Sequence, residues 1–272
     1  MKKYFYSCLV AGLFVVACSS RTIETDPNIV IIEDSNFEKA LIMQKIDSDS
    51  SINGQIKRAD IDDINILSIP NLQIKSLVGI EGFKSLTYLD CSLNQITNLD
   101  VSQNPNLESL DCSSNFLTTI DLSKNLRLSA LNCTKNQLKD LTIQSKQLYA
   151  LNASNNSLVT ISVDAATKLT LLHLSNNQLK SLSLFNNAAL MELKCESNKL
   201  TTIDLSKNTK LRVLEISNNG LSALDLCANT ELLKLACTSN NITKIMIPKK
   251  IQALFVNNTA SIDNKTSYAT CD

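Results

Sequence analysis

LESLDCSSNFLTTIDLSKNLR, residues 107–127, and LMELKCESNKLTTIDLSKNTK, residues 190–210, are two copies of one 21-residue pattern. The shared frame is L-x-x-L-x-(C/L/I/A)-x-x-N-x-L-x-x-(L/I)-x-(L/V/I). Leucines at 86, 107, 128, 148, 169, 190, 211 and 232 open eight successive copies, spaced 21 residues apart except that the third spacing is 20. A looser copy begins at Ile64 and runs through Leu67, Ile69, Ile74 and Leu77; a partial one begins at Ile251 and reaches Leu254 and Val256. Self-similarity at a short fixed period marks a solenoid, because one unit cannot bury its apolar stripe alone and a stack can.

Inside a copy, Leu89 and Cys91 alternate with Tyr88, Asp90 and Ser92, which predicts a short strand with one buried face. Asn94 follows where the chain must leave the strand, and its amide can satisfy backbone groups exposed by the bend. Stacking places Asn94, Asn115, Asn136, Asn156, Asn177, Asn198, Asn219 and Asn240 in one ladder, each bonded to its own coil and a neighbour. A buried amide without partners costs about 1–3 kcal/mol, so the ladder is read as structural. A second half-cycle, such as Leu99 to Ser102, closes on Asn104, and Asn125, Asn187, Asn208 and Asn229 continue that second ladder. It lapses around Gln144–Gln147, where a residue is missing, and at Ala166. Two extended sides are expected, with an irregular patch on the convex side of repeats three and four.

The frame resembles the nested 21-residue class of bacterial leucine-rich repeats, and over about residues 64–256 the chain is similar to internalin-type surface proteins. That resemblance implies a repeat solenoid: a right-handed arc of mostly short parallel β-strands, with one continuous sheet along its concave side. Strands about 4.8 Å apart make nine coils roughly 40 Å long. Both ends would expose strand edges and need caps. Residues 35–63 are read as a small helical N-terminal cap, with its amphipathic helix at Asn36–Gln44. Residues 257–272 are read as a C-terminal cap or tail, the covering segment reaching back to Lys249.

Residues 1–17 read as a signal peptide. Lys2 and Lys3 precede an apolar run from Tyr4 to Val16, whose 13 residues fall short of the ~20 that span a bilayer. Val15-Val16-Ala17-Cys18 resembles a bacterial lipobox, which implies a lipoprotein with Cys18 as its lipidated first residue. Several acyl chains anchor a protein stably, at about 0.8 kcal/mol per buried methylene. By the same resemblance Ser19, in place of a retention aspartate, implies the outer membrane of a bacterial cell envelope, with 18–34 as a tether. Formal charge is zero, and removing residues 1–17 leaves 24 basic against 26 acidic groups. That balance gives no footprint for nucleic acid or for anionic lipid.

Cys91, Cys112, Cys133, Cys195 and Cys237 share one inward position, which other repeats fill with Ala153, Leu174 or Ile216. The set describes a small buried hydrophobe. No C-x-x-C pair and no histidine at ligand spacing accompanies them, so neither zinc nor another cofactor is expected. Cys227 stands on the outer side, where other repeats have Ser123 or Ser206; it can pair with Cys271 or stay free. Asp49, Ser51, Asn53, Gly54, Ile56 and Asp60 resemble positions 1, 3, 5, 6, 8 and 12 of an EF-hand or dockerin-type calcium loop. Serine at the third position and aspartate at the twelfth depart from that motif, and a tight turn without an ion is the alternative reading.

Function is expected on the outward positions of the concave strands. The first four repeats are small and polar there, while Leu171, His173, Glu192, Lys194, Glu196 and Glu215 concentrate charge and form the expected contact patch. A sheet of this length presents on the order of 800 Å², a standard protein contact. Its aromatic anchors are few, Tyr88 and Phe255 near the ends, so a weak contact between a monomer and a protein or glycan at the cell surface is expected. A passive envelope spacer is the alternative. His173 beside glutamates has the groups for acid–base chemistry, but an open sheet lacks a water-excluding pocket. With no nucleophile triad, phosphate loop or metal motif beside it, the chain is not read as an enzyme.

Overall fold

A computed structural model describes residues 26–256 and 260–271, without the side chains of Phe255 and Val256. Cys18 and the expected signal peptide lie outside the described residues. Nine three-residue strands form one parallel sheet in chain order: Ile66–Ser68, Tyr88–Asp90, Ser109–Asp111, Ala130–Asn132, Ala150–Asn152, Leu171–His173, Glu192–Lys194, Val213–Glu215 and Lys234–Ala236. The register never slips. Leu89 lies beside Leu110, and Leu110 beside Leu131. The 20-residue copy keeps it too, Leu131 beside Leu151, because its missing residue comes out of the turn on the far side. One continuous core runs from Val30 to Ile251. Each coil feeds it several large side chains, Leu107, Leu110, Leu117 and Leu122 in one copy. At about 1.5–3 kcal/mol apiece, such a stripe outweighs any single polar contact.

The asparagines secure the turns. Asn115 Nδ2 donates to Cys91 O of the preceding coil at 3.0 Å and to Cys112 O of its own at 3.1 Å, while its Oδ1 accepts from Ile96 N at 3.0 Å. Asn136 and Asn177 repeat this pattern. The sharp bend falls one residue earlier: Leu93, Ser114, Lys135, Asn155, Asn176, Ser197, Asn218 and Ser239 have φ between 55° and 59°. That left-handed conformation costs an L-residue on the order of 1 kcal/mol. Backbone bonds to the next coil offset it, as from Leu93 N to Ser113 O at 2.9 Å. In the second ladder, Asn125 Nδ2 donates to Val101 O and Asn104 O, both at 3.0 Å. The Oδ1 atoms of Asn104, Asn125, Asn187, Asn208 and Asn229 are buried and accept from no protein donor.

Away from the sheet the coils are mostly turns, not a second extended side. Repeats three and four, expected to be irregular, instead form a strand pair, Asp140–Thr142 with Thr160–Ser162. One residue fewer leaves the chain the shorter, extended path. Ser145 replaces the absent asparagine, its Oγ donating to Leu126 O at 2.9 Å and accepting from Gln147 N at 3.1 Å.

At the N-terminal end, Ile29–Ile31 pairs antiparallel with Gln55–Lys57, and Val30 and Ile32 are buried. This corrects the expected tether of 18–34: from Ile29 onward the segment is a cap strand, because alternating apolar residues need a buried face that a solvated tether does not offer. The helix Ser35–Met43 matches the expected one to within a residue, and its Phe37 ring lies 6.3 Å from that of Phe83 on the first coil. Asp34 joins the two. Its Oδ1 caps the helix, accepting from Asn36 N at 2.8 Å and Phe37 N at 3.2 Å, and its Oδ2 accepts from Lys75 N at 2.6 Å and Ser76 N at 3.1 Å. Burial acts to raise its pKa, but these four N–H donors outweigh it and hold the carboxyl below its usual value. A lowered folded pKa gives stability that is present above the unfolded pKa and lost as pH falls through the folded one. Asp34→Ala is expected to cost about 2 kcal/mol, a lost helix cap plus a lost docking contact. Hydrogen exchange checks this: amides of residues 35–43 should exchange faster, and unchanged protection would contradict it.

The partial last copy is also corrected. Lys249–Ile251 is a 3-10 turn and Gln252–Val256 a helix, so the regular repeats end before residue 256 and the C-terminal cap begins near Pro248. In the frame, an asparagine stands three residues after the second inward position, as Asn240 follows Cys237; after Val256 that place holds Thr259. Asp263 stands in for the carbonyls of a next coil, accepting from Ser239 N at 2.9 Å and Asn240 N at 3.2 Å as Ser217 O and Asn218 O accept from Ser197 N and Asn198 N, and Ser261 bridges Ala236. The strand Ser267–Thr270 then joins Lys244–Ile247, which joins Leu224–Asp225. Cys227 and Cys271 form a disulfide with Cα atoms 5.9 Å apart, an ordinary separation for one.

Candidate partner-binding face

The outward side chains of the sheet form two rows. The first reads Tyr88, Ser109, Ala130, Ala150, Leu171, Glu192, Val213 and Lys234; the second reads Asp90, Asp111, Asn132, Asn152, His173, Lys194, Glu215 and Ala236. Register brings the expected patch together, with Leu171 beside Glu192, and His173, Lys194 and Glu215 in sequence. Glu192 Oε1 accepts from Lys194 Nζ at 2.8 Å and contacts His173 Nε2 at 2.9 Å. Lys234 pairs with Glu215, and Ser175 Oγ donates to Glu196. The Lys194 hydrogen bond, aided by His173, outweighs burial and lowers the pKa of Glu192, and the same bond raises that of Lys194. For Glu215 burial acts upward, and the hydrogen bond from Lys234 with nearby lysine charge overcomes it. Half-exposed pairs of this kind contribute at most about 1 kcal/mol each, so they matter more for discrimination than for stability.

A hollow adjoins the patch and is not evident from the repeats taken one at a time. Between Tyr88 and Leu171 the first row carries only serine and alanine, which leaves a groove of about 340 Å³. Its rims, Tyr88 and Leu171, are four strand spacings apart, roughly 19 Å. Along its polar side, Asn132 Nδ2 donates to Asp111 Oδ2 at 2.8 Å. Leu171 and His173 line this groove and also belong to the charged patch, so the two form one surface. The signal was available as a run of small residues down one column of the aligned repeats.

The other expected site residues fall as follows. The five inward cysteines are buried, and burial pushes the Cys133 and Cys237 thiols up to about 12, with Cys91, Cys112 and Cys195 also raised. The loop resembling a calcium motif does turn at Gly54, whose φ is 77°. Its ligand positions bond within the loop: Asp49 accepts from Ser51 N at 2.8 Å and Asn53 Nδ2 at 2.9 Å, and Asp60 accepts from Ser48 Oγ at 2.8 Å. Among the described residues, the acid and thiol groups that crowd within 4.8 Å of one another are Asp225, Cys227 and Cys271, and the disulfide occupies two of them.

One parallel sheet, an inward leucine at every strand and an asparagine at the turn after eight of its nine strands define the class: this is a leucine-rich-repeat solenoid. Solved structures set it beside the internalins. The chain is similar to the functional domain of InlJ from Listeria monocytogenes, which includes a cysteine ladder, with 26% identity and a TM-score of 0.65 over 90% of this chain. It spans 63% of that domain's length. A leucine-rich-repeat protein of Leptospira interrogans matches at 26% identity and a TM-score of 0.55, over 75% of this chain and 67% of that one. Internalin C2 of Listeria monocytogenes, 18% identical with a TM-score of 0.59 over 91% of this chain and 100% of that one, shares the fold. The protein is thus internalin-like in architecture. No family model and no curated protein matches the sequence.

Proposed function

We propose that this protein is a lipid-anchored scaffold of the bacterial cell envelope that binds a protein partner through the outer face of its nine-stranded sheet and catalyses no reaction. The observation that carries the reading is the meeting of groove and charge network at Leu171 and His173. A hollow floored by Ser109, Ala130 and Ala150 suits a protruding partner side chain, and the fixed charges alongside set its orientation. The hollow is open along the sheet, a form suited to surface contact more than to enclosing a substrate. Attachment is assigned to Cys18 from its lipobox-like surroundings, and the outer membrane to Ser19 beside it.

Capture of a partner from membrane fractions of the parent cell, using the purified protein, tests this. Lys194→Glu sets a fourth carboxylate among Glu192, Glu196 and Glu215 and should lower capture at least tenfold, about 1.4 kcal/mol. His173→Ala should lower it less. Unchanged capture by both variants, with circular dichroism showing an intact fold, would remove this face as the contact. The lowered pKa of Glu192, from an ordinary value of 4.5, also sets a pH window. Glu192 keeps its charge at pH 5 and loses it only as pH falls through the lowered value, so capture is expected to hold at pH 5 and to fail below the ordinary carboxylate range. Incorporation of labelled fatty acid, present in the wild type and absent in Cys18→Ser, checks the anchor.

A further inference from the structure

Charge on the face of the sheet is compensated at one end and not at the other. The outward positions carry five carboxylates, Asp90, Asp111, Glu192, Glu196 and Glu215, against two lysines, Lys194 and Lys234. Both lysines are engaged far from the groove's Tyr88 rim, Lys194 with Glu192 and Lys234 with Glu215. At that rim Asp90 and Asp111 lie side by side in register, on strands about 4.8 Å apart. Their hydrogen bonds come from neutral groups. Asp90 accepts from Ser92 N at 3.0 Å and Ser68 Oγ at 3.4 Å. Asp111 accepts from Ser113 N at 2.9 Å, Ser113 Oγ at 2.6 Å and Asn132 Nδ2 at 2.8 Å. Among the described residues no lysine, arginine or histidine forms an ion pair with either. Tyr88 precedes Asp90 by two residues and so projects from the same side of its strand. Burial, with the charges of Asp90 and Asp111, raises the pKa of its hydroxyl, which places both carboxylates near the ring. Tyr88 and Asp111 both line the groove floored by Ser109, Ala130 and Ala150.

We propose that the partner presents an extended segment to this groove, with an arginine set against Tyr88 and the Asp90–Asp111 pair and an apolar side chain over Ala130 and Ala150. The inference rests on the reading of this face as partner-binding and adds what the partner must offer there. Charge complementarity selects the occupant. A carboxylate brought to this rim would meet two of its own sign with no counter-charge, and a neutral segment would cover both without pairing them. A guanidinium answers every group present: it stacks on an aromatic face, and its planar fork of N–H donors binds carboxylates in pairs. Lysine offers a compact point charge that uses the ring and the two acids less fully. Alternate side chains of an extended segment stand roughly 7 Å apart on one side, which fits the one to two strand spacings from Asp111 to Ala130 and Ala150. At the far rim Leu171 continues the apolar floor, and the neutralised Glu192–Lys194 pair makes no comparable demand for a cation.

Amide NMR of the protein titrated with three acetylated, amidated peptides tests this: Gly-Arg-Gly-Leu-Gly, and the same sequence with citrulline or glutamate in place of arginine. The arginine peptide is expected to shift amides of 88–92, 109–113, 130 and 150 saturably at millimolar concentration. Citrulline keeps the shape without the charge and should bind at least about tenfold more weakly, with glutamate weaker still. Asp90→Asn with Asp111→Asn should remove the preference for arginine over citrulline. Asparagine already stands in that column at Asn132 and Asn152, so the double variant keeps the fold. Equal affinity for the arginine and citrulline peptides, or no shift on this face up to ~10 mM, overturns the proposal. The double variant also enters the membrane capture beside Lys194→Glu, where both should lower capture at least about tenfold. Capture lowered by Lys194→Glu alone leaves the face standing and removes the arginine; capture unchanged by either removes the face itself.

Discussion

Replacing Asn115 by alanine is expected to cost about 3–5 kcal/mol and to lower the urea midpoint of the whole solenoid. Asn115 is 4% exposed, so water cannot take over its contacts. Its loss leaves Ile96 N without its acceptor and takes one of two donors from Cys91 O, Cys112 O and Ser113 O, which keep Asn94 Nδ2, Asn136 Nδ2 and Leu93 N. The orphaned N–H costs about 1–3 kcal/mol, and each bond lost from a carbonyl that keeps its other donor about 0.5–1.5 kcal/mol. Because each coil is held by its neighbours, a lesion in an interior coil weakens two interfaces at once. The second ladder makes the comparison sharp. Asn125→Ala also removes two bonds, to Val101 O and Asn104 O, but with them it removes a buried Oδ1 that no protein donor reaches. That relief reduces its expected cost to about 2 kcal/mol. Denaturant melts of the two variants should rank Asn115→Ala below Asn125→Ala; equal or reversed midpoints would contradict the assignment of the first ladder as the better satisfied one.

Cys227→Ser is expected to cost up to about 4 kcal/mol, from the loop entropy that a crosslink across 44 residues removes from the unfolded chain. The substitution is otherwise mild, since serine is what the frame places there in Ser123 and Ser206. The loss should be felt at one end. Ser267–Thr270 carries no fully buried side chain, and apart from the disulfide it is held by backbone pairing to Lys244–Ile247 and a few side-chain bonds such as Thr266 Oγ1 to Ile242 O at 2.8 Å. Exchange protection over 260–271 should therefore collapse while that of residues 107–127 survives. Cys271→Ser should match it, and the double variant should add nothing further. Thiol counting gives an independent check. Of the seven cysteines from Cys91 to Cys271, five should react after denaturation without reductant and none of the buried five in the native protein. Seven reactive thiols would dissolve the crosslink.

The regular part of this molecule was legible because one short frame, repeated, states both what is buried and where the chain turns. Leu110 and Asn115 mean the same thing in every copy, so strand, register and ladder follow from spacing alone. What escaped were places where a single residue replaces the rule. Ser145 does an asparagine's work through a shorter bond and turns an expected irregularity into a strand pair. Asp263 closes the last coil from 23 residues beyond Asn240, a distance that no periodic frame reports. Val30 and Ile32 were hidden in a segment read as a tether because four apolar residues carry little periodicity. The site was half legible. Charge made Glu192, Lys194 and Glu215 conspicuous, whereas the groove is defined by what Ala130 and Ala150 lack, and small side chains attract notice only when their taller neighbours, Tyr88 and Leu171, are seen in the same row.

The central claim is that this face of the sheet meets a protein, and site-specific photocrosslinking on intact cells tests it most directly. A crosslinking side chain at Ala150, on the floor of the groove, is compared with one at Phe185, which is 63% exposed on the side away from the sheet. A discrete crosslinked protein from position 150, lost when Lys194→Glu is added and absent from position 185, is the predicted result. Crosslinks of equal yield from both positions, or from position 185 alone, would contradict it.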